Sequence, residues 1–592
     1  MSRLKFAGLS ALVLLTVLPT QGAEAQQASR GGAPEPDPVR AGQADTPATY
    51  LNDGFDALHY DVELALPLGA GAIEGHAMIR LLPERPLSEV RLDFTGLRVD
   101  EVSVDDAPTD QFTLLDGVLV ITPAQPLPAG REARVAVRYS GVPDDGLILG
   151  NTVHGRPSAF VDNWPNRTRF WLPSADHPSD KATARLSVHA PAGWQLIANG
   201  RLIGRPFATP PGTPLVEALE ARQAANGGAD AGASGRTERR TWIWQTDVPH
   251  PTYTLVVGGA ELEVDTVGLA ACGSAPASPR VDGCVEVTTW LYPEDAEAGA
   301  ASFVRAAEMV DFFSDVIGPF PYEKLAHVQS STRFGGMENS SAIFYDQGAI
   351  AAGRNIETTV SHETAHQWFG DSVTHADWSH LWLSEGFATY FGHVFFEYAD
   401  GVADFARRMA QVRETWFASN DTANAVIGSG DDLFALLNRN NYQKGAAVLH
   451  MLRDEVGDEA FFEAIAQYYA RFADRTVLTE DLQAVFEETT GRELGWFFEQ
   501  WLRHPGYPLL KASTGASSQG GLEVTVTQLQ GDHAPRFRLS LTLAISGQGV
   551  PEGTRRRVEL TGATSRFSFP ELPADARVEL DPGQVLLARI AP

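Results

Sequence analysis

The feature that most constrains this chain is a set of metal-binding side chains in residues 355–398. His362-Glu363-Thr364-Ala365-His366 reads H-E-x-x-H. On a helix, residues four apart lie one above the other, so both imidazoles share a face and can chelate one zinc ion. Glu363 points to the same side as a candidate general base. Asn355 can cap such a helix, Glu357 suits its first turn and Gly370 can end it. A catalytic zinc takes three protein ligands and leaves a fourth position to water, and Glu385 is the third candidate, on a second helix. One Zn2+ per chain is expected.

Composition narrows the surroundings. The formal charge of −29 over 592 residues disfavours nucleic acid and anionic lipid as partners. Arg3 and Lys5, the apolar run Phe6 to Leu18 and Ala23-Glu24-Ala25 predict a signal peptide over 1–25, hence a periplasmic or secreted protein without membrane insertion. In such a compartment the two cysteines, Cys272 and Cys284, suit a structural staple better than a catalytic role.

Residues 26–48 lack periodicity and read as a disordered linker. From 49 to 288 apolar residues alternate: Tyr60, Val62, Leu64 and Leu66; Val90, Leu92 and Phe94; Val135, Val137 and Tyr139. An antiparallel β domain is predicted, with a flexible insertion over 205–240. From 289 to 507 the period becomes helical, starting with Phe303, Ala307, Val310, Phe313 and Ile317. Asp458 and Thr479 are candidate helix caps, and Gly457 and Gly491 candidate stops. Alternation returns over 508–592, which predicts a small β-sandwich.

These motifs resemble the gluzincin zinc aminopeptidases, the family of aminopeptidase N and leukotriene hydrolase. That family carries H-E-x-x-H, eighteen residues, then E; here Gln367–Ser384 are the eighteen before Glu385. Its G-x-M-E-N is matched by Gly335-Gly336-Met337-Glu338-Asn339, and its tyrosine before K-G by Tyr442-Gln443-Lys444-Gly445. The resemblance implies a multidomain α+β chain: an N-terminal β saddle, a thermolysin-like mainly α catalytic domain and a C-terminal β-sandwich. It lacks room for the large helical domain of many relatives, which implies an open cleft. The family's amine-holding Gln or Glu from the N-terminal domain is missing, so that role falls to Asp162, to Asn163 or to neither.

The implied activity is removal of N-terminal residues from peptides by attack of a zinc-bound water. Glu363 is the base and Tyr442 stabilises the oxyanion. A carboxylate in a dry cleft can hold a free α-ammonium, and Glu338 is the candidate. Gly335 and Gly336 let a peptide approach edge-on, and Met337 and Asn339 complete the substrate-binding set. Two alternatives are a thermolysin-like endopeptidase with an open cleft and a zinc-bound, non-catalytic peptide-binding scaffold. His375, His380 and His393, with Phe391, Phe395 and Phe396, read as structural.

Overall fold

The computed structural model describes residues 54–225, 238–428, 432–531 and 535–592. The predicted signal peptide and linker lie outside the described residues.

The alternating segments pair as expected. β1 (Phe55–Ala65), β2 (Ile73–Pro83), β3 (Ala133–Gly141), β4 (Lys181–Pro191) and β5 (Arg239–Gln245) form the middle of a ten-stranded sheet, in the order β5-β4-β1-β2-β3. Tyr60, Val62, Leu64, Val135, Val137 and Tyr139 are buried on it. One pairing departs from the antiparallel expectation: β1 and β4 run parallel, from His59 opposite Thr183 to Ala65 opposite His189. A four-stranded sheet beside it contains Pro157–Val161, which delivers Asp162 to Trp164 to the middle of the molecule.

Two expectations need correction. The supposed flexible insertion, 205–240, holds helix α1 (Pro214–Ala225), whose Leu215, Val216 and Leu219 bury against Ala65. Proline fits the first helical position, and three apolar residues in five are enough to dock the helix on the sheet. Residues 226–237 of that stretch lie outside the described residues. The boundary expected at 288/289 falls inside a strand. β6 (Glu263–Ala270), β7 (Val285–Leu291), β8 (Leu325–Ser330), β9 (Gly336–Met337) and β10 (Ala342–Asp346) make one five-stranded sheet ordered β6-β7-β8-β10-β9. Alternation reveals a strand but not which sheet it joins, so β6 and β7 read as part of the preceding domain. The Cys272–Cys284 disulfide closes the loop between them.

Helices follow: α2 (Ala306–Val316) earlier in the chain, then α3 (Glu357–His366), α4 (Trp382–Ala399), α5 (Gly445–Val456) and α6 (Asp458–Phe472). Gly457 ends α5 at φ 90°, and Gly491 ends the helix after α6 at φ 64°. Neither proposed cap acts as one. Leu478 precedes the helix that begins at Thr479, and the Asp481 carboxylate accepts the Leu478 N–H. The Thr479 hydroxyl instead accepts the Trp382 indole N–H and meets His380 Nδ1, which anchors the start of α4. Asp458 pairs with Arg453. Phe391, Phe395 and Phe396 pack in the core, as expected. Among the described residues no helix is long and apolar enough to cross a membrane.

The C-terminal strands form a four-stranded and a three-stranded sheet, and their apolar faces continue the core that contains the helices. A second core fills the N-terminal sheets and includes Met337 and Trp378. The residues that the motifs single out therefore lie along the seam between two cores.

At that seam α4 and α5 touch backbone to backbone. A Cβ at Gly386 would lie 2.9 Å from Gly445 Cα and 3.1 Å from the Asn441 carbonyl oxygen. Gly386→Ala should therefore lower stability by about 1–3 kcal/mol through overpacking, read as a fall in the thermal midpoint; an unchanged midpoint would show that the contact is dispensable.

Candidate active site

Helix α3 presents His362 and His366, and the first turn of α4 presents Glu385. Two contacts bring the helices together: the Ser361 hydroxyl donates to the Gly392 carbonyl at 3.0 Å, and a Cβ at Gly392 would lie 3.2 Å from the His362 backbone. Asn355 Oδ1 accepts the Glu357 N–H, but the helix ends at His366, before Gly370. Gly370 serves the following turn at φ 114°.

The three donor atoms converge. His362 Nε2 and His366 Nε2 are 3.0 Å apart, and each lies 3.3 Å from Glu385 Oε2. A tetrahedral zinc with bonds of about 2.0–2.2 Å sets its ligands roughly 3.3 Å apart, so the spacing fits. The tautomer fits as well. His366 Nδ1 lies 3.0 Å from the Phe369 carbonyl oxygen, which only accepts, so Nδ1 carries the hydrogen and Nε2 the lone pair. Ser384 Oγ adds a second contact to the same Nδ1 at 3.2 Å. Lone pairs and a carboxylate this close repel one another unless a cation lies among them.

Electrostatics around the triad lead to the same demand. Burial pushes the Glu338 carboxyl up to about 7 and the Glu363 carboxyl well above its usual range. Burial alone would depress His366, yet the Glu338, Glu385 and Glu363 carboxylates outweigh it and raise that imidazole to about 10. Burial likewise opposes ionisation of Glu385, but the two imidazoles hold it well below the carboxylate norm. Burial lowers His362. Three carboxylates without a guanidinium among them call for positive charge.

The remaining predicted residues divide. Gly335, Gly336, Met337 and Glu338 line a cavity of about 200 Å3 together with the triad, Glu363 and Tyr442. β9 is the outer strand of its sheet, so Gly336 and Met337 stand at a free sheet edge. Glu338 is buried, and its Oε1 has no hydrogen-bond partner. Tyr442 sits in a single π-helical turn, Asn440–Lys444, and its ring stacks on His362 with centroids 6.0 Å apart. Burial and then the Glu385 and Glu338 charges raise its phenol well above the usual value, which keeps it a donor. Asn339 is not among the lining residues; it is wholly buried.

The proposed substitutes for the missing amine acceptor are both committed elsewhere. Asn163 donates to the Thr252 and Leu255 carbonyls and accepts from the Trp171 indole. Asp162 pairs with Arg167 at 3.1 Å and accepts from the Thr332 hydroxyl. The next residue, Trp164, lines the cavity, as do Phe334 and Leu437. Nothing in their spacing marked these three. His375, His380 and His393 stay outside the triad; burial lowers all three, His375 and His393 to about 3.

Sequence reading also passed over Gln367. Its Nε2 donates to the Glu338 carbonyl at 3.0 Å and to Asp371 Oδ2 at 2.9 Å, and its Oε1 accepts the Ser341 N–H at 2.7 Å. From the other side, Asn199 donates to the Ser340 carbonyl and the Gly200 N–H to the Ser341 hydroxyl. The segment bearing Glu338 is thus pinned to the zinc-ligand helix and to the N-terminal sheets at once.

Comparison with known proteins adds the family. Residues 302–501 match the peptidase family M1 domain. Probable aminopeptidase 1 of Sulfurisphaera tokodaii is 22% identical over 541 residues, 88% of this chain and 61% of that protein. Tricorn protease-interacting factor F2 of Thermoplasma acidophilum is 30% identical over 480 residues, 78% of this chain and 54% of its own length. The chain thus spans about half to three-fifths of the length of these curated relatives. Among solved structures, a mutant of the M1 zinc metallopeptidase of Deinococcus radiodurans, bound to a Tyr-Ser-Ala substrate, is 25% identical with a TM-score of 0.62, covering 76% of this chain and 95% of that one. Residues 302–501 thus carry a match to the peptidase family M1 domain, consistent with the gluzincin aminopeptidase group that the motifs resemble.

Proposed function

We propose that this chain is a zinc-dependent aminopeptidase that removes N-terminal residues from peptides, with one Zn2+ held by His362, His366 and Glu385. The observation that carries the reading is the coincidence of two unsatisfied features in one cavity: three metal donors 3.0–3.3 Å apart, and beside them the buried, unpartnered Glu338 Oε1. When bound there, zinc supplies Lewis acidity, polarising the scissile carbonyl and lowering the pKa of a water toward about 7.

The chain's own groups do the rest. The edge of β9 can pair with an extended peptide backbone, and Glu338, one residue beyond, stands where the peptide begins. A free α-ammonium there gives Glu338 the charge-assisted hydrogen bond it lacks; an acylated amine gives it none. Glu363 takes a proton from the attacking water and delivers it to the leaving amine. Tyr442, held protonated, donates to the oxygen on which charge develops. Gly336 sets where Glu363 can stand: a Cβ there would lie 2.2 Å from Glu363 Oε1.

The endopeptidase and silent-scaffold alternatives draw no comparable support, because neither has a use for an unpaired carboxylate at the end of the edge strand. Export is part of the proposal on the strength of residues 1–25 alone, by their charged start, apolar run and small-residue cleavage pattern.

The deciding experiment gives zinc-loaded protein a peptide with a free N-terminus and the same peptide acetylated. The free form should be shortened from its first residue, the acetylated form resist, and a chelator abolish activity until zinc is restored; equal cleavage of both would favour the endopeptidase. Glu363→Gln should retain zinc yet lower kcat by about 10²–10⁴-fold, and a mutant within tenfold of wild type would remove Glu363 as base. Gly336→Ala should displace the Glu363 carboxyl and lower kcat while leaving zinc content and thermal midpoint near wild type. Full activity in that variant would show that the tight approach has no catalytic role.

A further inference from the structure

Unlike the metal ligands and Glu363, Tyr442 is not carried on a regular helix. It sits midway along the π-helical turn Asn440–Lys444, where the Lys444 N–H reaches back five residues to the Arg439 carbonyl at 2.9 Å. Such turns are rare, gather at functional sites and persist where surrounding contacts impose them. Here those contacts fall on its two ends.

Asn440 opens the turn and is 2% exposed. Its Oδ1 accepts the Trp416 indole N–H at 2.8 Å. Its Nδ2 has the carbonyls of Asp421, Asn424 and Ala425 at 2.9, 3.1 and 3.1 Å, three acceptors for two hydrogens. Carbonyls around one atom and an N–H at the other fix which way the amide points. At the far end, the wholly buried Lys444 donates to the His504 carbonyl at 3.2 Å. Its ammonium stands 5.4 Å from the ring centroid of the same Trp416. Trp416, on the helix Val402–Phe417, is thus held at its N–H by the first residue of the turn and at its ring by the last. The strip that Asn440 grips is fastened as well. The Val426 and Ile427 N–H groups both donate to the Leu502 carbonyl, and the Gly506 N–H donates to that of Thr422. Neither Asn440, Lys444 nor Trp416 lines the cavity.

We propose that Asn440 is a positioning residue for Tyr442. With Lys444 at the other end of the turn and Trp416 shared between them, its amide sets how far the phenol reaches toward the developing oxyanion. This rests on the reading of Tyr442 as oxyanion donor given above. The phenol serves only if it stands within about 3 Å of where the charge forms, and an error of about 1 Å costs up to about 100-fold. Without the Asn440 amide, the indole N–H of a fully buried Trp416 loses its acceptor and three carbonyls lose their donor, so the turn must shift to satisfy them.

The test is a double-mutant cycle between Asn440→Ala and Tyr442→Phe in the zinc-loaded protein, read on the best-cleaved member of a panel of aminoacyl p-nitroanilides. Tyr442→Phe should lower kcat by about 10²–10³-fold. Asn440→Ala should lower kcat by about tenfold or more, with zinc content unchanged and KM within about threefold. In the Tyr442→Phe background the same change should cost less than about twofold. A residue that only supports the fold would lower kcat alike in both backgrounds; that result, or a kcat unaffected by Asn440→Ala, overturns the proposal. Should Asn440→Ala not fold, Trp416→Phe and Lys444→Met enter the same cycle with the same criteria. Full activity of Tyr442→Phe would instead remove the oxyanion role, and failure to cleave any anilide would remove the aminopeptidase reading. In either case a crystal structure of Asn440→Ala, or of the variant replacing it, still decides the positioning. The Tyr442 ring should leave its stack on His362 by about 1 Å or more, and a ring still 6.0 Å away between centroids overturns it.

Discussion

The active site depends on two helices crossing with almost nothing between them. His362 and His366 come from α3 and Glu385 from α4, with eighteen residues between His366 and Glu385, yet their donor atoms meet within 3.3 Å. Side chains at the crossing would hold the helices apart. Gly392 removes one against the His362 backbone, and Gly386 with Gly445 removes a pair where α4 meets the turn bearing Tyr442. One set of small residues therefore fixes three ligands and the candidate oxyanion donor together. Trp382, tied at its indole to Thr479, fixes where α4 begins and hence which side Glu385 faces. Ligand geometry here is a property of backbone packing, and rotamer choice adds only the last adjustment.

That packing also sets the electrostatic problem that the site exploits. Glu338, Glu363 and Glu385 are buried within reach of a single imidazole. Isolated buried carboxylates are costly, by several kcal/mol each, so such a cluster persists where the fold's other contacts outweigh it and where cations relieve it. Two cations are implied, and they differ in kind. The metal belongs to the triad. On the proposed reading the second is the substrate's ammonium, at Glu338, whose Oε1 has no hydrogen-bond partner among the described residues. An unpaired buried group is a reservoir of binding energy for one functional group, an amine on the proposed reading, and the fold keeps it in place by pinning its backbone through Gln367 and Asn199.

Much of this was legible in the sequence, for physical reasons that also explain the rest. The triad could be read because helical spacing converts residue numbers into a shared face. Periodicity gave β1, β3 and α2 because each buries one side only. Other features depend on partners distant in the chain. Alternation at Glu263–Ala270 and Val285–Leu291 marked two strands, but their partners, β8 and β10, lie across the expected boundary. Three apolar residues in a proline- and glycine-rich stretch gave little sign of α1, because docking on the sheet, not propensity, supplies its stability. Asp162 and Asn163 looked available because a sequence records functional groups without their partners; one is held by Arg167 and the other by two carbonyls and an indole. Gln367 was passed over for the same reason: the carbonyl, carboxylate and N–H that its amide satisfies lie in other segments or emerge only from the fold.

The position of Trp164 sharpens what exopeptidase selectivity would mean in this chain. With a second carboxylate beside Glu338, an ammonium would be held by two charges and the rest of the substrate would matter less. Here Asp162 and Asn163 are engaged elsewhere, and Trp164, Phe334 and Leu437 line the cavity together with Glu338. Recognition must then be shared between one charge-assisted hydrogen bond and the burial of the first side chain. Neither suffices alone, since the hydrogen bond competes with water until the side chain has excluded it. Amine recognition and side-chain preference are therefore coupled: a first residue that fits this lining strengthens the Glu338 contact by drying it, and one that does not leaves the amine solvated. On the proposed aminopeptidase reading, the removal of the terminal residue and the choice of which residue to remove are set by the same act of desolvation.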